Sequence, residues 1–426
     1  MTRRKGTKGM RRMPVQGIDV DAVRAQFPAL QRLAVGGEPA VFLDGPGGTQ
    51  VPSSVIEAMT DYLSSSNANI EGEFETSAKT DEMIAKARSY GATFVGGSSD
   101  GITFGPNMTT LNFNLIRAFG RTLKPGDEII TTMLDHDANV APWLLMAEDR
   151  GLVVRQVGVT EDLNLDLADL RAKLSDRTKV VAFCLASNAV GTLTPALEIS
   201  ELAHDAGALV WADAVAYAPH RRIDVEALGC DVLLCSPYKF FGPHLGMSWM
   251  RTDLAETLPA ERVRPAGSKP PGHRFETGTQ LHENIAGFVA AVDYVASLGE
   301  GDDLRGRLDS AYSAIRSRET EMADQLLGEL RELPHVRVTG VQDADPSQRV
   351  GTFGLVVEGY RPALLSRALG AKGVYTWNGN FYAQGIVEHL RLDLEEGLLR
   401  LGLMHYNTES EIQRCVEQLG LLISAA

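Results

Sequence analysis

Between residues 80 and 250 the chain alternates two hydrophobic periods. Short, nearly continuous apolar runs predict buried strands at 102–104, 128–132, 153–159, 180–186, 209–212, 232–235 and 246–250. Between them, stretches with apolar residues at helical spacing predict helices at 79–94, 108–120, 166–174 and 195–206. Strands that are apolar on both faces, separated by helices, build a mostly parallel sheet covered on both sides, with ligands at the carboxyl ends of the strands. Beyond residue 280 the pattern changes. Long helical repeats at 281–298 and 303–331 lead into short strands at 336–339 and 352–357, then further helix, a strand at 398–404 and a closing helix from 409. The expected division is a large domain over 40–280 and a smaller α/β domain made of 18–39 together with 281–426. The Pro/Gly-rich segment 265–272 is a loop near that boundary.

With 426 residues, 44% of them apolar, the chain is long enough for two lobes around separate cores. A formal net charge of −14 argues against nucleic acid or an anionic membrane as the main partner. Cys184, Cys230, Cys235 and Cys415 form no CxxC pair. They read as buried thiols of a reducing compartment, the cytoplasm, and not as a disulfide frame or a metal site. The basic start MTRRKGTKGMRRM is followed by no apolar segment, so residues 1–17 are expected to form a short disordered tail and not a signal peptide. No apolar run approaches the roughly 18 residues of a membrane span.

The candidate chemistry gathers at the predicted strand ends. Lys239 follows the run 232–235 in a turn bounded by Pro237, Gly242 and Pro243. An amine in apolar surroundings at a sheet edge is a candidate for Schiff-base chemistry, because desolvation disfavours the ammonium form. On its own, a lysine there is more often a solvated charge. Asp213 ends the run ALVWAD, and a carboxylate after so apolar a lead-in must find a partner or neutralise. Pyridoxal 5'-phosphate (PLP) asks for this pair: a lysine for the aldehyde and an acid for the pyridine nitrogen. ITFGPNMTT at 102–110 reads as strand, Gly-Pro turn and helix start, placing backbone N–H groups and the hydroxyls of Thr109 and Thr110 where a phosphate would bind. Plain N-capping by threonine explains the same pattern equally well. His136 follows the strand 128–132 and could stack on a flat ring, and Asn188 follows 180–186 and could donate to a ring oxygen. No GxGxxG or GxxxxGK[ST] pattern supports a dinucleotide or P-loop site.

Taken in order, FLDGPGG (42–48), DHDANVAPW (135–143), SNAVGT (187–192), WADAVAYAPH (211–220), SPYKFFGP (236–243), RFETGT (274–279) and RLGLMHYNT (400–408) resemble the class V aminotransferase group, and within it cysteine desulfurase-like proteins. The resemblance runs from about residue 25 to the C-terminus. It implies an α/β protein of PLP-dependent transferase fold type I, with a mostly parallel seven-stranded sheet in the large domain. It also implies that Lys239 is the Schiff-base lysine, that Asp213 pairs with the pyridine nitrogen, that His136 stacks on the ring and that Asn188 contacts its oxygen. Thr109, Thr110 and Ser236 would hold the phosphate. Thr279 would reach the phosphate of a partner subunit, which implies a homodimer with shared active sites. Arg400 would clamp the substrate α-carboxylate, a task suited to its bidentate fork.

Departures from the family pattern bear on the reaction. Desulfurases of this group carry a nucleophilic cysteine on a small-domain loop upstream of the residue matched by Arg400, and the corresponding stretch 373–384 contains none. Tyr238 stands where the family has a histidine beside the lysine, with a place among the cofactor contacts. Ala216 replaces a glutamine, and Tyr375 and Asn378 become candidate substrate contacts along with Trp377 and Tyr382. The expected function is therefore a desulfurase-like enzyme acting on an amino acid through an external aldimine and a quinonoid, with β-elimination at a C–S bond ahead of transamination. A non-catalytic PLP-binding scaffold is the alternative of a different class, and the substrate clamp at Arg400 argues against it.

Overall fold

The computed structural model describes residues 17–424. The expected tail over 1–17 lies, but for Gly17, outside the described residues. Among the described residues no helix is long and apolar enough to cross a membrane.

In chain order, β1 (Val41–Phe42) is followed by the seven strands of the large sheet: β2 (Ile102–Gly105), β3 (Glu128–Thr132), β4 (Val153–Val157), β5 (Thr178–Cys184), β6 (Leu209–Asp213), β7 (Val232–Cys235) and β8 (Gly246–Met250). Their spatial order is β2-β8-β7-β6-β5-β3-β4. β8 runs antiparallel to both its neighbours, and the remaining pairs are parallel. All seven predicted strands are present, with β4 and β5 each ending two residues before the expected limit. The runs are apolar throughout because both faces are covered. Val180, Ala182, Trp211, Val232 and Leu234 face a core shared with Leu111, Leu115 and Trp143. Val181, Phe183, Val210, Ala212, Leu233 and Cys235 face the opposite core, shared with Phe240, Ile285 and Phe288. Successive residues alternate between the two cores, as the two-residue strand period requires.

The remaining strands are β9 (Val336–Val338), β10 (Thr352–Val357), β11 (Val374–Tyr375), β12 (Trp377–Gly379) and β13 (Leu398–Gly402). Four of them form an antiparallel sheet in the order β12-β13-β10-β9. The helices Leu304–Arg331 and Glu409–Ser424 place Leu326, Leu330, Ile412, Cys415 and Leu419 against Phe353, Leu355, Leu399 and Leu401. The 412, 415, 416, 419 spacing of that last helix is one apolar helical stripe. Cys415 is thereby spent on this second core. β1 pairs with β11 and not with the large sheet, and the chain here divides between the two cores, with Val41 and Leu43 in the second and Ala40 and Phe42 in the first. The Gly45–Gly47 turn that follows β1 packs beside β13 and returns the chain to the site.

Candidate active site

A cavity of about 610 Å³ opens at the carboxyl ends of β5, β6 and β7 and is closed from the other side by the segment 377–382 and Arg400. β6 delivers Asp213 as its last residue, and its Oδ1 accepts the Val215 N–H at 2.7 Å. Burial pushes this carboxyl up to about 6, against the lowering effects of that hydrogen bond and of Lys239. The Pro237–Lys239 turn after β7 brings Lys239 to the same edge, with its Nζ donating to the Pro46 carbonyl. Desolvation and the nearby Arg400 cation bring the Lys239 amine down to about 7, partly opposed by Asp213.

His136 lines the cavity after β3. Its Nδ1 accepts the Ala138 N–H at 3.0 Å, which places the remaining proton of the neutral ring on Nε2. Burial, then the cations Lys239 and Arg400, hold it down at about 4, so the ring is neutral. Below it, Asp135 is fully enclosed. It accepts from Thr132 Oγ1 and from Asn139 Nδ2 (2.8 Å), and burial raises it to about 8 despite those bonds.

Arg400, on β13, is buried and donates from one terminal nitrogen to the Asn188 carbonyl at 2.8 Å, while its Nε has no partner. Desolvation lowers it to about 9, with Asp44 and Tyr238 acting in the other direction, so the guanidinium stays charged at neutral pH. The Asn188 amide donates to the Phe381 carbonyl at 2.8 Å and leaves its Oδ1 buried without a partner.

The structure therefore brings Thr109, His136, Asn188, Asp213, Ser236, Tyr238, Lys239, Asn378 and Arg400 to one cavity. Thr110 and Tyr375 do not line it, and Thr279, expected to serve a partner's site, lies apart from it. The Thr110 N–H is taken at 2.8 Å by the Asn107 side chain, which caps the helix Met108–Gly120. Tyr375 packs edge-on against Phe42 at 5.2 Å, a consequence of the pairing of β11 with β1. Thr279 is exposed and lies in a separate cleft with Glu276 and His282. Asn107, Asn380, Phe381 and Cys184 line the cavity without having been singled out as site residues. An asparagine three residues before Thr110 is a strong N-cap signal and could have marked Asn107. Tyr382, from the cysteine-free stretch, also lines the cavity and sets its ring 5.2 Å from His136 at 33°.

Comparison with known proteins decides the family. The aminotransferase class-V model matches residues 41–415. The chain belongs to the class V aminotransferase family. A cysteine desulfurase of Synechococcus elongatus is 32% identical over 93% of this class V chain, which spans 62% of that relative's length. A cysteine desulfurase of Dickeya dadantii is 31% identical, with 95% of this chain and 97% of that one covered. The apo structure of a cysteine desulfurase from Thermococcus onnurineus NA1 superposes with a TM-score of 0.86 at 23% identity, over 97% of this chain and all of that one. The fold is accordingly that of PLP enzymes of fold type I.

Class V enzymes use PLP, and the residues present fit it. Asp213 supplies an acid for the pyridine nitrogen and Lys239 an amine of lowered basicity for the aldehyde. His136 offers a neutral ring face. The Met108–Gly120 helix N-terminus, Thr109 and Ser236 supply anion donors at the same cavity.

Proposed function

We propose that this class V enzyme binds an α-amino acid by its carboxylate at Arg400 and cleaves a bond at Cβ, releasing a thiol or sulfide without passing sulfur to a protein cysteine. The observation that carries this reading is the composition of the cavity wall. Where the segment 377–384 closes the site it presents Trp377, Asn378, Asn380, Phe381 and Tyr382. The one cysteine among the lining residues, Cys184, is buried at the end of β5, with its thiol toward the Leu134 carbonyl at 3.5 Å. Burial, then Asp135 and Asp213, push its acidity far from the thiolate range. A thiol held neutral is a poor sulfur acceptor.

When bound, PLP supplies an aldehyde for an amine and a protonated ring that takes up the electron pair left at Cα. The chain's residues would do the rest. Arg400 orients the carboxylate. Lys239, whose amine is brought down to about 7, would serve as the base that takes the α-proton. Asp213 keeps a proton on the ring nitrogen, and Asn188 and His136 fix the ring in its plane. Thr279, exposed and outside this cavity, would be free to serve the site of a partner subunit in a homodimer. The test is incubation of the holoenzyme with cysteine and its thioethers. Release of sulfide or thiol with equimolar pyruvate and ammonia is expected. Alanine with sulfur bound to the protein, or a keto acid that keeps the substrate's β-substituent, would overturn the elimination reading.

A further inference from the structure

The stretch that replaces the thiol-bearing loop is tied into the site in a closed ring of contacts. The Arg400 guanidinium lies over the Phe381 ring, 4.0 Å from its centroid. Arg400 donates to the Asn188 carbonyl at 2.8 Å, and the Asn188 amide donates to the Phe381 carbonyl, also at 2.8 Å. One residue on, the Tyr382 carbonyl accepts the Asp137 N–H at 2.7 Å, anchoring the strap beside His136. Phe381 and Tyr382 both adopt left-handed backbone, with φ of 54° and 58°, a conformation disfavoured for residues that carry a Cβ. Such a pair persists only where its surroundings hold it. Here the holding groups are Asn188, Asp137 and Arg400.

The ring of contacts solves a problem that a buried carboxylate clamp always meets. A guanidinium taken out of water needs compensation, and an acid partner would consume the in-plane N–H groups that a substrate must use. Among the described residues no carboxylate lies within ion-pairing distance of Arg400; Asp44 acts on it only from further off. An aromatic face compensates the cation perpendicular to its plane and leaves its edge donors free. Nε remains without a partner.

We infer that Phe381 is the positioning residue for Arg400, fixing the plane of the guanidinium and, through its carbonyl, the amide of Asn188, so that carboxylate recognition depends on the strap. This inference rests on the reading of Arg400 as the carboxylate clamp. The test uses the holoenzyme and two probes, L-alanine and L-alaninamide, with dissociation constants read from the change in cofactor absorbance. The ratio of the two constants isolates carboxylate recognition. Phe381→Leu keeps an apolar side chain but removes the π face, and should weaken L-alanine binding roughly three- to thirtyfold, the range of a desolvated cation–π contact, with L-alaninamide unchanged. Phe381→Tyr should restore the ratio. Equal weakening of both probes in Phe381→Leu, or no change in either, overturns the inference. If Arg400→Gln leaves the ratio unchanged, the clamp reading itself fails. A holoenzyme that responds to neither probe contradicts both.

Discussion

Replacing the water around Lys239 with protein should make it react with an aldehyde at a pH where an ordinary lysine is inert. Burial and the neighbouring Arg400 bring its amine to about 7. Only the neutral amine adds to a carbonyl. At pH 7 about half of Lys239 is then neutral, against about one in 2,500 for a lysine of pKa near 10.4, a gain in reactive fraction of roughly a thousandfold. The assay mixes apoprotein with PLP and follows Schiff-base absorbance by stopped flow, divided at each pH by the rate per neutral amine of Nα-acetyl-lysine so that titration of PLP itself cancels and that of Lys239 remains. Acidification protonates the amine, so the normalised rate should fall about tenfold per unit below about pH 6 and level off above about pH 8. Arg400→Gln removes the nearby cation and should move the midpoint upward. A rate that still rises about tenfold per unit between about pH 8 and 10 would show an ordinary lysine and refute the argument.

Four further outcomes follow from the same geometry. Asp213→Asn should lower turnover about a hundredfold or more and shift cofactor absorbance, since the ring nitrogen loses the group that keeps it protonated; an unshifted spectrum contradicts that role. Asp135, raised to about 8 by burial, holds a proton that the unfolded chain releases. Its contribution to stability is therefore full below about pH 4 and lost as pH rises toward 8, so urea midpoints of apo Asp135→Asn should fall less between about pH 5 and 8 than those of the parent. Glu276→Gln breaks the buried two-pronged pair with Arg88 (both contacts 2.8 Å) and should cost about 3–5 kcal/mol in urea unfolding; a loss under about 1 kcal/mol would mean the pair is not critical. Tyr382→Cys places a thiol at the cavity wall and should let the protein gain one sulfur from cysteine, seen as a mass increase reversed by reductant, where the parent gains none.

The parts of the site that were legible in the sequence are those governed by local pattern. β5, β6 and β7 read clearly because strands covered on both faces leave no polar interruption, and Asp213 and Lys239 stand where those runs stop. Which candidates reach the cavity wall depends on tertiary choices. Tyr375 and Trp377 are two apart in a short apolar stretch, yet β11 pairs with β1 while β12 pairs with β13, so neighbours in sequence serve different sheets. No periodicity announces that switch. At the start of the Met108–Gly120 helix the extended Asn107, one turn earlier, takes the Thr110 N–H, and Thr109 rather than Thr110 lines the cavity. Phe381 was invisible for another reason: its role comes from left-handed backbone stabilised by Asn188 and Asp137, residues about two hundred or more positions away in the chain.

The most direct test is the fate of sulfur. Holoenzyme is given cysteine and its thioethers, and products are identified by mass spectrometry alongside the mass of the protein. Sulfide or thiol appearing with equimolar pyruvate and ammonia, on a protein of unchanged mass, is the predicted result. Alanine appearing with protein-bound sulfur would contradict it, as would cofactor absorbance that no amino acid perturbs.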